Sequence, residues 1–280
     1  MDQDDEGAAD MKVLRFFRQY VTAVLGFVYL ITIGWVLPRH RAMIRRIGEH
    51  LGWIRPESLP EESNLPALSI APCKAADLFA PGGEFRLLEM ESADGNVSVL
   101  ELAILAQLVR KFRPSVCFEI GTFDGRTALN FAANAPNDGV VYTLDLPRAA
   151  VSATELPLAR GDAKYVDKET SGIRFVGTPY EKSIVQLYGD SATFDYAPYL
   201  GAVDLVFVDG AHSYEYVLRD TETALKLLRE GRGLIVWHDY GSPFWKGVTA
   251  ALNELRQKNP ALKGMRHVET TTLVVASVGG

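Results

Sequence analysis

The chain has 280 residues, of which 48% are hydrophobic and 23% charged, and this balance is that of a globular protein with a sizeable core. The net charge of −6 argues against the basic surface that a nucleic-acid-binding protein needs. The two cysteines, Cys73 and Cys117, form neither a disulfide framework nor a zinc-binding spacing, and they indicate a reducing compartment.

An uncharged apolar stretch from Gln19 to Leu37 is nearly long enough to span a bilayer. Basic residues flank it on both sides, and Tyr20 and Trp35 are placed to lie at the two membrane interfaces. Residues 1–55 are therefore predicted to form an N-terminal hydrophobic and basic helical segment that anchors the chain to a membrane. The alternative is a buried or partner-facing helix of a soluble protein.

Beyond the N-terminal segment, prolines and polar residues predict a linker over residues 56–97, and a regular pattern begins at Ser98. Runs that are apolar throughout alternate with helical segments, which indicates a parallel sheet covered by helices on both faces. The predicted helices are Val99–Phe112, Arg126–Asn134, Tyr214–Arg229 and Phe244–Lys258. The predicted strands include Val203–Val208, Gly233–Trp237 and a terminal pair at Arg266–Thr270 and Thr272–Ser277.

The stretch Val116–Ala128 (VCFEIGTFDGRTA) runs from a strand through a glycine-containing turn into a helix. Gly121 and Gly125 let the backbone approach a ligand at the carboxyl end of the strand. A dinucleotide-binding GxGxxG fingerprint would need a glycine at position 123, where the chain has Phe123. Glu119 is instead expected to offer a carboxylate to a ligand that carries a cation or hydroxyl groups.

Acidic residues also end the next two strands. The strand Val140–Leu146 contains Asp145 at its end, where an acid of a Rossmann-like domain is placed to bind two ribose hydroxyls, although a helix cap is the alternative role. A third strand, Ser183–Tyr188, leads to Asp190 and Ser191, a sequence that also suits a simple turn.

Asp209 and Asp239 follow the two later strands, and both are expected to face the crevice at the carboxyl edge of the sheet. Paired acids at this place could hold Mg²⁺ or another divalent cation that binds an acceptor oxygen. His212, at the start of a helix, is expected to take the acceptor's proton. His238 adjoins Asp239, and because side chains alternate along a strand, only one of the two is expected to reach the site.

Residues 147–182 lack clear periodicity and follow Asp145 directly. A loop of this length within a compact domain is usually a lid or a binding loop. We therefore predict that this segment is a substrate cap beside the ligand site.

The motifs around Glu119, Asp190, Asp209 and Asp239, in this order, resemble those of class I S-adenosylmethionine-dependent methyltransferases. Within that class they are similar to a subfamily of small-molecule and sugar O-methyltransferases, the Methyltransferase-24-like proteins. The resemblance covers roughly Ser98 to Val278. It implies an α/β fold with a Rossmann-like doubly wound sheet, mostly parallel with an antiparallel C-terminal strand, and hence a methyltransferase domain over 98–280 preceded by the N-terminal hydrophobic helix.

The resemblance also implies roles for individual residues. Cofactor binding is implied for Glu119, Gly121, Thr122, Phe123, Gly125, Asp145, Leu146, Asp190, Ser191 and Asp209, with Asp190 and Ser191 facing the adenine. Catalysis is implied for His212, Asp209 and Asp239. The expected reaction is O-methylation of a small-molecule or glycan hydroxyl, with S-adenosylmethionine as cofactor and no nucleic-acid partner.

Two other functions stay open at this point. One is an NAD-dependent oxidoreductase on a related sheet, against which Phe123 argues. The other is a membrane-tethered scaffold with a vestigial pocket, against which the retained acids argue. A homo-oligomer is also open. Because S-adenosylmethionine is a cytosolic metabolite, the catalytic domain is expected to be cytoplasmic, anchored by the single helix at 19–37.

Overall fold

The computed structural model describes residues 17–22, 24–29, 32, 65–79 and 82–279. The chain divides into two compact units, Met1–Pro60 and Glu61–Gly280. In the first unit, residues 17–22 and 24–29 are helical. Among the described residues, no helix has both the length and the apolar character that crossing a membrane requires. Much of the predicted span at 19–37, including 33–37, lies outside the described residues.

The second unit is built on an eight-stranded sheet. Its strands are β1 (Pro72–Cys73), β2 (Val116–Ile120), β3 (Val140–Asp145), β4 (Ile184–Tyr188), β5 (Leu205–Val208), β6 (Gly233–Trp237), β7 (Arg266–Val268) and β8 (Val274–Val278). The spatial order is β1-β7-β8-β6-β5-β2-β3-β4. Strands β2 to β6 are parallel to their neighbours in this group, whereas β8 is antiparallel to β6 and β7. The predicted, mostly parallel sheet with an antiparallel C-terminal strand is confirmed.

Helices cover both faces of the sheet. They are α1 (Ala75–Leu78), α2 (Val99–Phe112), α3 (Arg126–Asn134), α4 (Ala163–Val166), α5 (Tyr214–Leu227) and α6 (Lys246–Lys258). Short 3₁₀ turns lie at Arg148–Ala153, Glu181–Ser183, Ala197–Tyr199, Arg229–Gly231 and Pro260–Leu262. The bounds of α2 and α3 are those predicted, whereas α5 ends two residues early because Leu228 is extended, and α6 begins two residues late because Trp245 has a non-helical backbone.

Helix α2 begins with a reciprocal cap that later bears on the site. The Ser98 hydroxyl accepts a hydrogen bond from the Glu101 backbone, and the Glu101 carboxylate accepts one from the Ser98 backbone. The helix ends where Arg113 adopts a left-handed conformation (φ 49°) before Pro114.

The segment predicted as a linker over 56–97 differs from that prediction in its described part. Ile70 and Val97 are buried, and Pro72–Cys73 pairs with β7 as an edge strand. The buried Arg126 guanidinium donates to three backbone carbonyls between residues 89 and 97, which holds this segment on the domain. The sequence suggested a linker because the segment has no periodicity of its own and takes its hydrogen bonds from α3.

The parallel strands β2, β3, β5 and β6 are almost entirely buried between two hydrophobic layers. One layer centres on Phe118 and Trp237, and the other on Phe131 and Phe207. Because the five strands β2 to β6 run in one direction, their carboxyl ends meet at one edge. The loops that follow these strands therefore lie next to one another.

Close backbone approach at this edge depends on Gly121. Its φ is +102°, and a Cβ atom there would lie 1.9 Å from the carbonyl oxygen of Asp209. We expect Gly121→Ala to lower the free energy of unfolding by about 3 kcal/mol or more, from backbone strain and overpacking together. Gly177→Ala is the control, because Gly177 also has a positive φ (+74°) but has nothing within 4 Å of its Cβ position. Equal losses in the two variants, measured by urea unfolding, would contradict the close approach.

Candidate active site

A pocket lies at the carboxyl edge of the parallel strands. The predicted cofactor residues that line it are Gly121, Thr122, Phe123, Asp145, Leu146, Asp190, Ser191 and Asp209. His212 and Asp239 line the same pocket. The fold thus brings together most of the residues that the sequence proposed for cofactor binding and catalysis. Glu119 and Gly125 are not among the lining residues.

The turn from β2 to α3 is shaped by residues with positive φ. Gly125 has a φ of +85°, and a Cβ atom there would lie 2.6 Å from the Phe175 ring. Phe123 has a φ of 49°, an uncommon conformation for an aromatic residue, and its ring packs edge-on against Tyr165 of the cap. The Phe123 ring therefore lies at the pocket wall where a dinucleotide-binding protein would present bare backbone.

Glu119 does not face the pocket as a carboxylate. Its side chain is 1% exposed and accepts a hydrogen bond from the Thr143 hydroxyl within the sheet. Burial raises its pKa well above the ordinary value and so disfavours the charged form. The structure therefore does not support the expectation that Glu119 offers a charge to the ligand.

Asp145 lies at the end of β3 and lines the pocket, as predicted. Its carboxylate is nevertheless already engaged by the cap. Lys168 Nζ lies 2.8 Å from Asp145 Oδ2, and the Ser171 hydroxyl donates to the same oxygen. A ribose that binds at Asp145 would have to replace or share these two donors.

Asp190 is held in a fixed turn beside the pocket. Its Oδ1 accepts hydrogen bonds from the Tyr216 hydroxyl at 2.8 Å and from the Ala192 backbone at 2.9 Å, and its Oδ2 accepts one from the Glu155 backbone at 2.8 Å. The turn reading of this residue is therefore borne out, and it coexists with a position in the pocket lining next to Ser191.

Asp209 and Asp239 are brought together with His238 at the ends of β5 and β6. His238 Nδ1 lies 3.0 Å from Asp209 Oδ1 and 3.3 Å from Asp239 Oδ2. Of His238 and Asp239, only Asp239 is among the pocket-lining residues, as expected, but His238 still contacts both carboxylates. Strand β6 ends at Trp237, and Asp239 has a φ of +65°, so the alternation of a strand no longer applies to these two residues.

Asp209, His238, Asp239 and the nearby His212 shift one another's pKa values. Burial raises the pKa of Asp209 above its ordinary value. Burial opposes the charge of His238, but the neighbouring carboxylates raise its pKa well above the ordinary value. Burial also opposes the charge of Asp239, but the charge of His238 and a hydrogen bond from His212 hold its pKa below the usual range. These shifts favour the ionised form of Asp239 and the protonated form of His238.

His212 lies between two carboxylates. Its Nδ1 is 2.6 Å from Asp162 Oδ1, its Nε2 is 3.0 Å from Asp239 Oδ2, and its ring stacks on Trp245 with centroids 4.1 Å apart. Burial opposes the charged form, but the two hydrogen bonds raise its pKa to about 10. The expectation that His212 takes the acceptor's proton is not met in this arrangement, because the ring is already protonated at neutral pH.

Several residues at the site were missed by the sequence reasoning, namely Glu101, Asp162, Lys168, Ser171 and Trp245. The sequence placed Trp245 within the predicted helix Phe244–Lys258, whereas the structure puts it in the loop before α6. The three cap residues lie in a segment without periodicity, and no signal marked them. Glu101 lies at the start of α2, far from every motif in the sequence, and its Oε2 is 3.4 Å from His238 Nε2.

Comparison with known proteins agrees with this geometry. Residues 118–240 match the family model Methyltransf_24, described as "Methyltransferase domain". No curated protein matches the chain. The match places all of the acids that end strands β2 to β6 inside a methyltransferase domain.

Solved structures with a similar fold include three methyltransferases. The O-methyltransferase TomG from Streptomyces achromogenes, in complex with SAM, shares 18% identity at a TM-score of 0.44, over 69% of this chain and 93% of that chain. The O-methyltransferase from Bacillus cereus, in complex with SAH, shares 17% identity at a TM-score of 0.45, over 84% of this chain and 97% of that chain. The SAH-bound methyltransferase PaMTH1 from Podospora anserina shares 19% identity at a TM-score of 0.48, over 66% of this chain and 80% of that chain. These similarities are weak.

Residues 118–240 therefore form a methyltransferase domain. This assignment follows from the family match together with the Rossmann-like sheet and the acids that line its carboxyl edge. It replaces the oxidoreductase and the non-catalytic scaffold as readings of the chain.

We expect Asp145→Ala to weaken S-adenosylmethionine binding by about 1.5–3 kcal/mol, the range for hydrogen bonds to a charged group, because the ribose hydroxyls would lose their acceptor. This corresponds to a rise in Kd of roughly 10- to 150-fold by calorimetry. Asp195→Ala is the control, since Asp195 is an exposed residue outside the pocket lining. Equal affinity in the Asp145 variant and the unmodified protein would remove the ribose role from Asp145.

Proposed function

We propose that this protein transfers the methyl group of S-adenosylmethionine to a hydroxyl oxygen of a small molecule or a sugar. The observation that carries the proposal is the acid cluster of Asp209 and Asp239, which lines the same pocket as the cofactor residues. Methyl transfer from a sulfonium is an in-line displacement, and an alcohol nucleophile needs an acceptor for its proton. Two carboxylates at the pocket edge provide that acceptor.

The electrostatics favour Asp209 over His212 as the proton acceptor. A carboxylate whose pKa is raised by burial is a stronger base than an ordinary aspartate, and a proton acceptor works best when its pKa lies closer to the operating pH. Asp239, held ionised by the two histidines, would bind and orient the acceptor hydroxyl. The acceptor O–H bond then breaks toward Asp209 as the oxygen forms its bond to the methyl carbon, and S-adenosylhomocysteine leaves.

The same cluster also fits a divalent cation. Asp209, His238 and Asp239 each offer one ligand atom, and these three atoms lie within 4.8 Å of one another. A ligand set of two carboxylates and an imidazole favours Mn²⁺, Fe²⁺ or Zn²⁺, whereas a set of oxygen ligands alone favours Mg²⁺ or Ca²⁺. A bound cation would supply Lewis acidity that lowers the pKa of the acceptor hydroxyl. We propose these three residues as its ligands, with His238 added to the two acids that the sequence suggested; with a cation bound, His238 would be neutral and Asp209 would be a ligand instead of the proton acceptor.

The proposed function is tested by a methyl-transfer assay with labelled S-adenosylmethionine against a panel of sugars, phenols and lipid-linked glycans, and against amines and thiols of matched size. We expect label to pass to hydroxyl oxygens. Transfer confined to amines or thiols would overturn the O-methylation proposal while leaving the methyltransferase class intact.

We expect Asp209→Asn to lower turnover roughly 100-fold or more, the smaller end of the effect of removing a general base. Asp204→Asn is the matched control, because Asp204 lies before the opposite end of β5 and bonds Arg229 and the backbone of β2. Unchanged turnover in the Asp209 variant would contradict the role of this carboxylate.

Chelator treatment is expected to lower activity and added Mn²⁺ to restore it, and activity that survives chelation would remove the cation from the proposal.

We further propose that residues 19–37 attach the protein to a membrane, with the catalytic unit facing the cytoplasm. Large apolar side chains in the described part of this region are exposed, among them Tyr20 (61%), Val21 (49%) and Leu25 (64%). Exposed apolar side chains in such number support an apolar environment around this helix. The alternative, a partner helix, would cover the same side chains.

For the anchor, we expect the full-length protein to sediment with lipid vesicles, because its apolar segment would enter the bilayer. A chain beginning at Glu61, where the second compact unit starts, should stay in the supernatant and still bind S-adenosylmethionine. Full-length protein that stays in the supernatant with vesicles would contradict the anchor.

A further inference from the structure

We propose that Asp162, a residue of the cap, is a positioning residue for the acceptor site, because it holds the His212 ring against Asp239. The inference rests on the proposed function of the acid cluster. Asp162 lies between β3 and β4, in the segment 147–182 that carries no methyltransferase motif, so the cap would supply a part that the sheet edge lacks.

The contact between Asp162 and His212 has two points. Asp162 Oδ1 lies 2.6 Å from His212 Nδ1, and Asp162 Oδ2 accepts a hydrogen bond from the His212 backbone at 3.3 Å. Asp162 itself is 4% exposed, and its Oδ2 also accepts from the Ala159 backbone at 2.7 Å. A buried carboxylate that bonds both the ring and the backbone of one residue fixes that ring in one orientation.

The other side of the His212 ring faces the acid cluster. With Nδ1 engaged by Asp162, Nε2 points to Asp239 Oδ2 at 3.0 Å. Trp245 stacks on the ring with an interplanar angle of 15° and removes the remaining freedom of tilt. Asp162 thus acts on Asp239 only through His212, in the way that a buried carboxylate orients the histidine of a hydrolase triad.

The cap is seated by close packing as well as by this hydrogen bond. Gly161, next to Asp162, has a φ of +116°, and a Cβ atom there would lie 3.1 Å from the Trp245 ring. Tyr165, one turn further on, packs edge-on against Trp245 and Phe123. The backbone therefore presents Asp162 to His212 in a position that the surrounding aromatic rings define.

The same short segment also reaches the cofactor site, since Lys168 and Ser171 bond Asp145. Residues 162–171 therefore contact both the predicted ribose carboxylate and the acceptor-site histidine. A substitution of Asp162 alone removes the contact to His212 and leaves the contacts of Lys168 and Ser171 to Asp145 in place. It therefore separates an effect on the acceptor site from an effect on cofactor binding.

The test compares Asp162→Ala, Asp162→Asn and His212→Gln with the double variant Asp162→Ala/His212→Gln in the full-length protein. Asp167→Asn is the matched control, since Asp167 belongs to the same segment but is exposed and pairs only with Arg148 among the described contacts. The readouts are kcat and KM for the acceptor found by the methyl-transfer assay, the Kd for S-adenosylmethionine, and the ¹⁵N–¹H signal of His212 Nδ1.

We expect Asp162→Ala to lower kcat by about 10- to 100-fold. This is the range for removing a carboxylate that orients a metal-bound histidine, and Asp162 orients His212 in the same way. Cofactor Kd should change less than about twofold, and the control should match the unmodified protein. The double variant should be no slower than His212→Gln alone. Asp162→Asn should retain part of kcat, because its amide oxygen can still accept the Nδ1–H bond. The downfield Nδ1–H signal should be lost in Asp162→Ala.

Three results would overturn the proposal. They are a kcat unchanged in Asp162→Ala, a double variant whose losses add, or an Nδ1–H signal that persists without Asp162. The spectroscopic readout does not depend on methyl transfer. If the unmodified protein transfers no methyl group to any hydroxyl, the proposed function fails, whereas the NMR comparison still decides whether Asp162 orients His212.

Discussion

Two partly buried carboxylates in one pocket repel each other, and the site depends on how this repulsion is offset. Asp209 and Asp239 approach a common His238 nitrogen, and Asp239 also accepts a hydrogen bond from His212. The two histidine rings, whose pKa values the neighbouring carboxylates raise, offset this repulsion at the pocket edge. Each ring is in turn bonded to a further carboxylate, His238 to Glu101 and His212 to Asp162.

The parallel sheet is what makes this cluster possible. Residues from four separate loops meet because strands β2, β3, β5 and β6 end at the same edge, and the order of the strands puts β5 next to both β2 and β6. Gly121 allows the first of these loops to lie against the backbone of Asp209. The residues proposed for the cofactor and for the acceptor are therefore neighbours in space, although about 120 residues separate Gly121 from Asp239 along the chain.

The sequence predicted the sheet edge well and the rest of the site poorly. Apolar strands between helices, each followed by an acid, identified Asp145, Asp209 and Asp239, because such patterns depend on local periodicity. The burial of Glu119 depends on its neighbour Thr143 in the next strand, a contact that no local pattern reports.

Departures from regular backbone account for the other differences. His238 joined the cluster because the chain leaves strand geometry after Trp237, and a left-handed residue such as Asp239 has no reliable sequence signal when it is not glycine. The cap follows no period at all, so Asp162 could not be found from the sequence. The segment before Ser98 was read as a linker because its hydrogen bonds come from side chains of α3.

A crystal structure of the protein with S-adenosylhomocysteine and the acceptor tests the central claim most directly. We expect the ribose hydroxyls to bond Asp145 and the sulfur to face an acceptor oxygen held at Asp209 and Asp239, with His212 still between Asp239 and Asp162. A sulfur that points away from this pair of acids, or an acceptor oxygen bound elsewhere in the pocket, would contradict it.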